Sequence, residues 1–374
     1  MKSTIYTERV DNLMRDLHEQ ELDCLVIFSD IWRPGNVYYT TGFSPACGGV
    51  SQSWEFLFLA KGLPPQLVVG FELVLSAESI VDSSVKVISS LEIENTFQAL
   101  ATHLDKNATI GIVGMDFLYT EFYLQLQHHF PKAKLVDAAE VLNKYRRFKS
   151  DEELRKIKDS HRITDAAIKV TMEAIQEGRT EREIAAIGMA KIHELGGLLG
   201  FYPTIGAGDH SAFAMQLPTY NKIKRDDMIL IDFGVNYKGY FSDCSRTAGY
   251  HLKTEEKRRI ITTCIEAKHE AMKLIKPGVV NCEIERCIRS VITEAGFGDY
   301  ILHDSGHGIG NDQEESYVIH VNSDTVLQPR MLFTVEPGIY LPGVGGCRIE
   351  EMVYVTETGY GIFSELKDEW FIES

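Results

Sequence analysis

Met228-Ile-Leu-Ile-Asp-Phe-Gly-Val-Asn-Tyr-Lys-Gly-Tyr-Phe-Ser-Asp-Cys-Ser-Arg246 is the stretch on which the reading of this chain turns. Two strand-like runs meet at Lys238-Gly239, which marks a β-hairpin. If those two residues form the turn, Gly234 lies opposite Asp243. Asp232 then shares a face with Asp243 and sits diagonally across from it. Two carboxylates held that close in an apolar hairpin repel each other, and a bound cation relieves the repulsion. The bland alternative puts one of them in water at a strand end. Against it, Asp232 directly follows the apolar run Met228 to Ile231.

Three later stretches carry further candidates. His303-Asp-Ser-Gly-His-Gly-Ile-Gly310 holds two histidines four apart, but its three glycines speak against a helix. They let the backbone approach a ligand and leave the imidazole as the main functional group. Leu332-Phe-Thr-Val-Glu-Pro-Gly-Ile-Tyr340 sets Glu336 inside an apolar strand, where an unpaired charge costs several kcal/mol. Cys347-Arg-Ile-Glu-Glu-Met-Val-Tyr-Val355 sets Arg348, Glu350 and Glu351 in another strand. Successive strand residues point to opposite faces, so only one of the two glutamates can face a cleft, and the other is free to pair with an arginine.

The rest of the chain frames these pieces. Residues 6 to 20 have helical spacing, and Cys24–Phe28, Asn36–Gly42, Glu55–Leu59, Gln66–Gly70 and Thr109–Val113 read as strands, with a helix over Leu91–Leu104. A boundary is expected near Phe148, giving domains 1–147 and 148–374. The basic run Lys144 to Lys149 reads as a solvated linker. Ser150-Asp-Glu-Glu153 and Thr180-Glu-Arg-Glu183 are capping boxes that open two helices. A β-rich stretch to Gly249, helices from Thr254 and Asn281, and strands to the end follow. That order implies two α/β halves stacked back to back around one cleft. No internal repeat stands out that would establish it.

At 374 residues the chain fits two domains, and its 44% hydrophobic and 25% charged residues are those of a soluble globular protein. A net charge of −16 speaks against nucleic-acid binding. No run of 18 apolar residues and no signal-peptide pattern occurs, so no membrane partner is expected. Seven cysteines without CxxC pairs read as reduced thiols of a cytoplasmic protein. HExxH, GxSxG and a helix-opening GxGxxG are all absent.

Taken together and in this order, the motifs resemble the prolidase / Xaa-Pro aminopeptidase / creatinase superfamily, whose C-terminal domain has the pita-bread fold. The resemblance covers about residues 148 to 374, and more loosely the first domain through Asn36–Phe43. It implies an α/β chain with a creatinase-like N-terminal domain and a C-terminal metallohydrolase domain. It implies that Asp232, Asp243, His307, Glu336 and Glu350 hold two divalent ions. Asp243 and Glu350 would be shared between the ions, Glu336 would also move protons, and His303 would lie near the scissile group. Arg348 is a further substrate-binding candidate. Four carboxylates and one imidazole form a hard site suited to Mn²⁺ first, and to Co²⁺ or Zn²⁺ by availability. Such a site would activate water for attack on a carbonyl, making the chain a hydrolase of C–N bonds in a small peptide or amide. Relatives of this kind are often homodimers.

Two histidines usual in the peptidases are missing. In Gly208-Asp-His-Ser-Ala-Phe-Ala-Met-Gln-Leu-Pro218 the first is replaced by Met215, with His210 expected on the other strand face. The second falls at Gln313 or Glu314, in a loop one residue shorter. The metal positions are filled while the substrate pocket is rebuilt. A non-peptide amide or amidine substrate, as in creatinase and ectoine hydrolase relatives, is therefore a competing expectation. A non-catalytic binding module is a third, which the five retained ligand positions oppose.

Overall fold

The computed structural model describes residues 4–44 and 53–373, and the chain divides into two units, Met1–Arg146 and Arg147–Ser374. In the first, strands β1 (Cys24–Asp30), β2 (Trp54–Ala60), β3 (Gln66–Val69), β4 (Lys86–Ser89), β5 (Thr109–Val113) and β6 (Lys134–Asp137) form a mixed sheet in the order β4-β3-β2-β1-β5-β6. Helices α1 (Thr4–Glu19), α2 (Gly35–Thr41), α3 (Val74–Ile80), α4 (Ile93–His103), α5 (Thr120–His129) and α6 (Ala139–Arg146) complete it. Strand β1 is buried along its whole length. Leu25 and Ile27 share one core with Val10, Leu13 and Leu17, while Val26 and Phe28 share another with Phe97, Leu100 and Phe122. Burial on both faces explains why it reads as an unbroken apolar run.

The strand expected over Asn36–Gly42 is instead helix α2. Its β-branched and aromatic residues suggest a strand, but local geometry overrides that preference. Thr40 and Thr41 donate back to Asn36 O and Val37 O, and Gly42 closes the helix at φ 74°. The linker expectation over Lys144–Lys149 also needs correcting. Arg146 is buried and donates to Asn36 Oδ1 (2.6 Å), and Lys149 is buried on Glu315 (2.6 Å).

The second unit opens with α7 (Asp151–Glu173) and α8 (Glu181–Glu194), and both capping boxes close as expected. Strands β7 (Leu198–Leu199), β8 (Thr204–Ala207), β9 (Asp227–Tyr237) and β10 (Tyr240–Tyr250) follow, then α9 (Glu255–Met272) and α10 (Cys282–Glu294). Next come β11 (His307–Gly308), β12 (Glu315–Val318), β13 (Leu332–Val335), β14 (Gly338–Leu341), β15 (Gly345–Arg348), β16 (Glu351–Val355), β17 (Tyr360–Ile362) and β18 (Trp370–Ile372). One sheet runs β18-β10-β9-β7 with β8 also on β9, and the other runs β12-β11-β13-β16-β17. Helices α7 and α8 bury Ile163, Ile168 and Ile184 against Ile229, Ile231 and Phe233 of the first sheet. Helices α9 and α10 bury Ile260, Ile284 and Ile288 against Phe333, Val335 and Val353 of the second. This is a mixed α/β unit of two helix-covered sheets.

Its halves repeat, which the sequence did not make evident. Met172, Ile175, Gly178, Ile184, Ile192 and Gly196 recur as Met272, Ile275, Gly278, Ile284, Ile292 and Gly296, an offset of 100 throughout. Gly178 and Gly278 have φ 85° and 90°, and Gly196 and Gly296 have φ 81° and 88°. The backbone bonds match as well: Ile223 N to Arg179 O and Leu327 N to Val279 O are both 2.8 Å.

Candidate metal centre

The β9–β10 hairpin turns at Lys238 (φ 52°) and Gly239 (φ 76°), the left-handed pair that a type I′ turn requires. Tyr237 therefore faces Tyr240, Gly234 faces Asp243, and Ser245 faces Asp232. Asp232 and Asp243 come to one face, as the register reading expects, and both line a cleft of about 630 Å³.

The second sheet supplies the other groups. His307 opens β11, next to Gly306, where a Cβ would meet Thr334 O at 1.9 Å. Only glycine permits that approach. His307 N donates to Thr334 Oγ1 (3.0 Å), and Nδ1 faces Gly308 O (3.1 Å), which can only accept. The proton therefore belongs on Nδ1, leaving the Nε2 lone pair toward Asp243 (3.8 Å) and Glu336 (3.5 Å).

Neither Glu336 nor Glu350 lies inside a continuous strand, contrary to expectation. Glu336 sits between β13 and β14, where Pro337 lacks the N–H to continue pairing. Its backbone N donates to Ser305 O (2.9 Å), and Thr334 Oγ1 donates to its carboxylate (2.9 Å). Glu350 sits between β15 and β16 and crosses to the first sheet through Glu350 N to Ser245 O (3.0 Å). The breaks turn both carboxylates into the cleft. Glu351 points the other way, onto Arg246 (3.2 Å) and Lys268 (3.8 Å), so only one of the two faces the site, as alternation requires.

Asp243, His307 and Glu350 offer ligand atoms within 4.8 Å of one another. Asp232 Oδ1, Asp243 Oδ1 and Glu350 Oε1 are buried with no hydrogen-bond partner. Burial raises the Asp243 and Glu350 carboxyls well above their ordinary range, and neighbouring carboxylates add to it. Burial also raises Asp232, against the opposing pull of Arg348. A bound divalent cation would give these orphaned carboxylate oxygens a partner and keep them ionised, and the imidazole lone pair beside Asp243 and Glu350 fits the same role.

The pocket candidates are distributed less simply. Met215 lines the cleft at 77% exposure, and Gln313 lines it while donating to Asp243. His303 lines it with both ring nitrogens engaged, by Asp304 O and Tyr340 Oη (2.7 Å each). Arg348 is buried, and its donors go to Ser245 Oγ, Ala214 O, Tyr340 Oη and Asp232. It braces the site as well as lining it. His210 lies in a short helical turn, not a strand, and bonds Glu181 at 2.9 Å, outside the cleft lining.

Residues missed in the sequence are Ser245, which donates to Glu350 (2.6 Å), and Tyr340, which joins His303 to Arg348. Alternation offered a signal for Ser245, two residues beyond Asp243 on the same strand. Among the described residues, six cysteines are free and no helix is long and apolar enough to cross a membrane.

Two family models match the chain: the creatinase/prolidase N-terminal domain over residues 9–148 and metallopeptidase family M24 over residues 155–357. The Xaa-Pro dipeptidase of Pyrococcus furiosus is 32% identical over 360 residues, 94% of this chain and 96% of that one. The Xaa-Pro dipeptidase of Lactobacillus helveticus is 32% identical over 74% of this chain and 77% of its own. Among solved structures, the prolidase from Pyrococcus furiosus superposes with a TM-score of 0.83 at 29% identity, covering 95% of this chain and 99% of that one. The X-Pro aminopeptidase from Thermotoga maritima gives 0.86 at 26% identity, covering 97% and 99%. The M24 model spans more than half of the chain, over the unit that holds the carboxylate cleft; this chain belongs to metallopeptidase family M24, as a metal-dependent hydrolase of the pita-bread fold with a creatinase/prolidase N-terminal domain.

Proposed function

We propose that this protein hydrolyses the C–N bond of small peptides, with Xaa-Pro peptides as the default substrate, using two divalent ions held by Asp232, Asp243, His307, Glu336 and Glu350. The observation that carries the reading is that Asp243, His307 and Glu350 bring ligand atoms within 4.8 Å of one another, in a cleft where Asp232, Asp243 and Glu350 each keep one buried oxygen without a hydrogen-bond partner. Relatives named Xaa-Pro dipeptidase, 32% identical, support the substrate class. The oxygen-rich donor set suits Mn²⁺ before Co²⁺ or Zn²⁺. When bound, the ions would supply Lewis-acid polarisation of the scissile carbonyl and an acidified water.

The chain's own groups do the rest. Glu336, steadied by Thr334 Oγ1, takes the proton released on attack and passes it to the leaving nitrogen. His303, fixed by Tyr340 and Asp304 O, marks the wall beside the scissile group and orients the substrate. Met215 and Leu217 present apolar surface to the same cleft. Gln313, bonded to Asp243, offers an amide where an imidazole is usual. A thioether neither donates to a carbonyl nor carries a proton, so an apolar substrate residue is favoured beside Met215. The protein would work in the cytoplasm, as a homodimer.

Met215 and Gln313 also favour a second reading, hydrolysis of a non-peptide amide or amidine in the same site. A hydrolysis screen in Mn²⁺ separates the two, offering Xaa-Pro dipeptides, longer Xaa-Pro peptides and small cyclic or guanidino amides side by side. Turnover of Xaa-Pro peptides above all others supports the first reading. Turnover confined to the non-peptide amides replaces it with the second. Elemental analysis after reconstitution should give two ions per chain, and less than one at saturation would remove both.

A further inference from the structure

Glu181, the first residue of α8, is wholly buried yet takes no part in the cleft. Its carboxylate gathers both feet of one loop. Oε1 accepts from Ala207 N (2.9 Å) and Asn221 Nδ2 (3.0 Å), and Oε2 accepts from Thr219 N (2.8 Å) and Thr219 Oγ1 (2.7 Å). His210 Nδ1 lies 2.9 Å from both oxygens. Burial alone would push this carboxyl up, but the bonds from Thr219, Asn221 and Ala207 hold it below its ordinary value, so it stands as a carboxylate.

The loop between those feet is what the cleft uses. Ala214, Met215, Gln216 and Leu217 all line it. Ala214 O also accepts from Arg348 (2.9 Å), whose other arm holds Asp232. Beyond Ala212 the loop has no regular secondary structure, and Phe213, Met215 and Leu217 are 62%, 77% and 62% exposed. Hydrophobic burial at its tip is therefore slight, and its position depends on polar anchors, those at its base and the one at Ala214.

We propose that Glu181 is a positioning residue for the substrate pocket: its buried carboxylate pins residues 207 to 221 and so sets where Met215 and Leu217 stand in the cleft. This rests on the peptidase reading for its kinetic consequence only. The loop's order is a property that can be measured without any substrate.

The decisive variant is Glu181→Gln, which keeps size but replaces an acceptor-only group with one that points an N–H at existing donors. Hydrogen exchange of the 207–221 amides should accelerate by about tenfold or more, with those of α7 and β9 unchanged. With Leu-Pro as substrate, KM should rise about tenfold while kcat moves by less than about threefold, and the preference over Gly-Pro should shrink. Bound Mn²⁺ should stay at the wild-type level. Glu181→Asp, which keeps the carboxylate, should recover part of both effects. Should Glu181→Gln fold poorly, Thr219→Val removes one donor and should give the same pattern at smaller size. Unchanged exchange over 207–221 overturns the proposal, as does faster exchange spread evenly over the whole unit. So does a fall in kcat with KM constant. If the wild type cleaves no Xaa-Pro peptide, the peptidase reading fails, and the exchange result still decides the role of Glu181.

Discussion

The two halves of the second unit share a frame and differ in what they build on it. In the first half, β9 and β10 are unbroken eleven-residue strands, and Asp232 faces Ser245 across them. In the second, β13 pairs with β16 up to Val335 and Glu351, and both chains break there. Continued by one step, that register sets Glu336 opposite Glu350, the counterpart of Asp232 opposite Ser245. The continuous ladder holds two carboxylates in fixed alternation. The broken one lets two glutamates turn inward beside His307. The helices behind them diverge too: Ser160, His161 and Thr164 of α7 stand where α9 has Ile260, Ile261 and Cys264. A repeated scaffold therefore need not give a repeated site; the chemistry follows from where each copy departs from regularity.

The largest test breaks the cleft where the halves meet. Asp243→Ala and Glu350→Ala should each lower bound metal below one ion per chain and cut kcat/KM by at least about 10²–10³. His303→Ala should leave the metal content at wild-type level, because its ring is held by Tyr340 and backbone. Equal metal loss in all three variants would show that the roles are wrongly divided between the ligands and the wall.

A smaller effect tests the helices. Burial drives the His161 imidazole down to about 4 from its ordinary 6.5. It is neutral when folded but takes a proton when unfolded, so its contribution is complete above pH 6.5 and is lost as pH falls toward 4. Over that window the loss is about 3 kcal/mol. His161→Ile, which copies Ile261, should flatten the fall in unfolding free energy between pH 7 and 4 by that amount. An unaltered slope in urea titrations would show that this imidazole gains a proton in the native state.

Next in size is the matching anchor. Glu285 of α10 is buried and accepts from Ser305 N (2.9 Å), at the base of the loop that carries His303 and His307. Glu285→Gln should weaken Mn²⁺ retention and lower kcat by about tenfold, with KM little changed. A KM effect of the kind expected for Glu181→Gln would show that the two loops are not governed separately.

The smallest expected effect is that of Met215→His, which puts an imidazole on the cleft wall. It should raise kcat/KM on Xaa-Pro substrates about three- to tenfold. High wild-type activity that the substitution leaves unchanged or lowers would mean that the cleft needs no imidazole there.

Much of this arrangement was legible beforehand, and the reasons are specific. Turn chemistry at Lys238-Gly239 set the register of Asp232 and Asp243, because strand alternation carries a local signal over many residues. Capping boxes marked α7 and α8 to the residue. The breaks at Glu336 and Glu350 were not read, since apolar flanks mask an interruption that only pairing reveals. Asn36–Gly42 misled because local bonds from Thr40 and Thr41 and the left-handed Gly42 close a helix over β-prone residues. Glu181 lies inside the Thr180–Glu183 capping box but is not one of the two residues that make it. Its partners lie 26 to 40 positions away, and no local pattern announces them. The offset of 100 was present throughout, but spread over buried isoleucines and turn glycines that any helix pair could share.

The loop gathered by Glu181 has an evolutionary consequence. Its feet are fixed by polar bonds to a buried carboxylate, whereas Phe213, Met215 and Leu217 stand mostly in solvent. Substitutions at exposed tips cost little stability, usually within about 0.5 kcal/mol. Lineages that keep the glutamate can thus exchange residues 213, 215 and 217 freely, trying new side chains against new substrates while Asp232 and Asp243 stay where the hairpin put them.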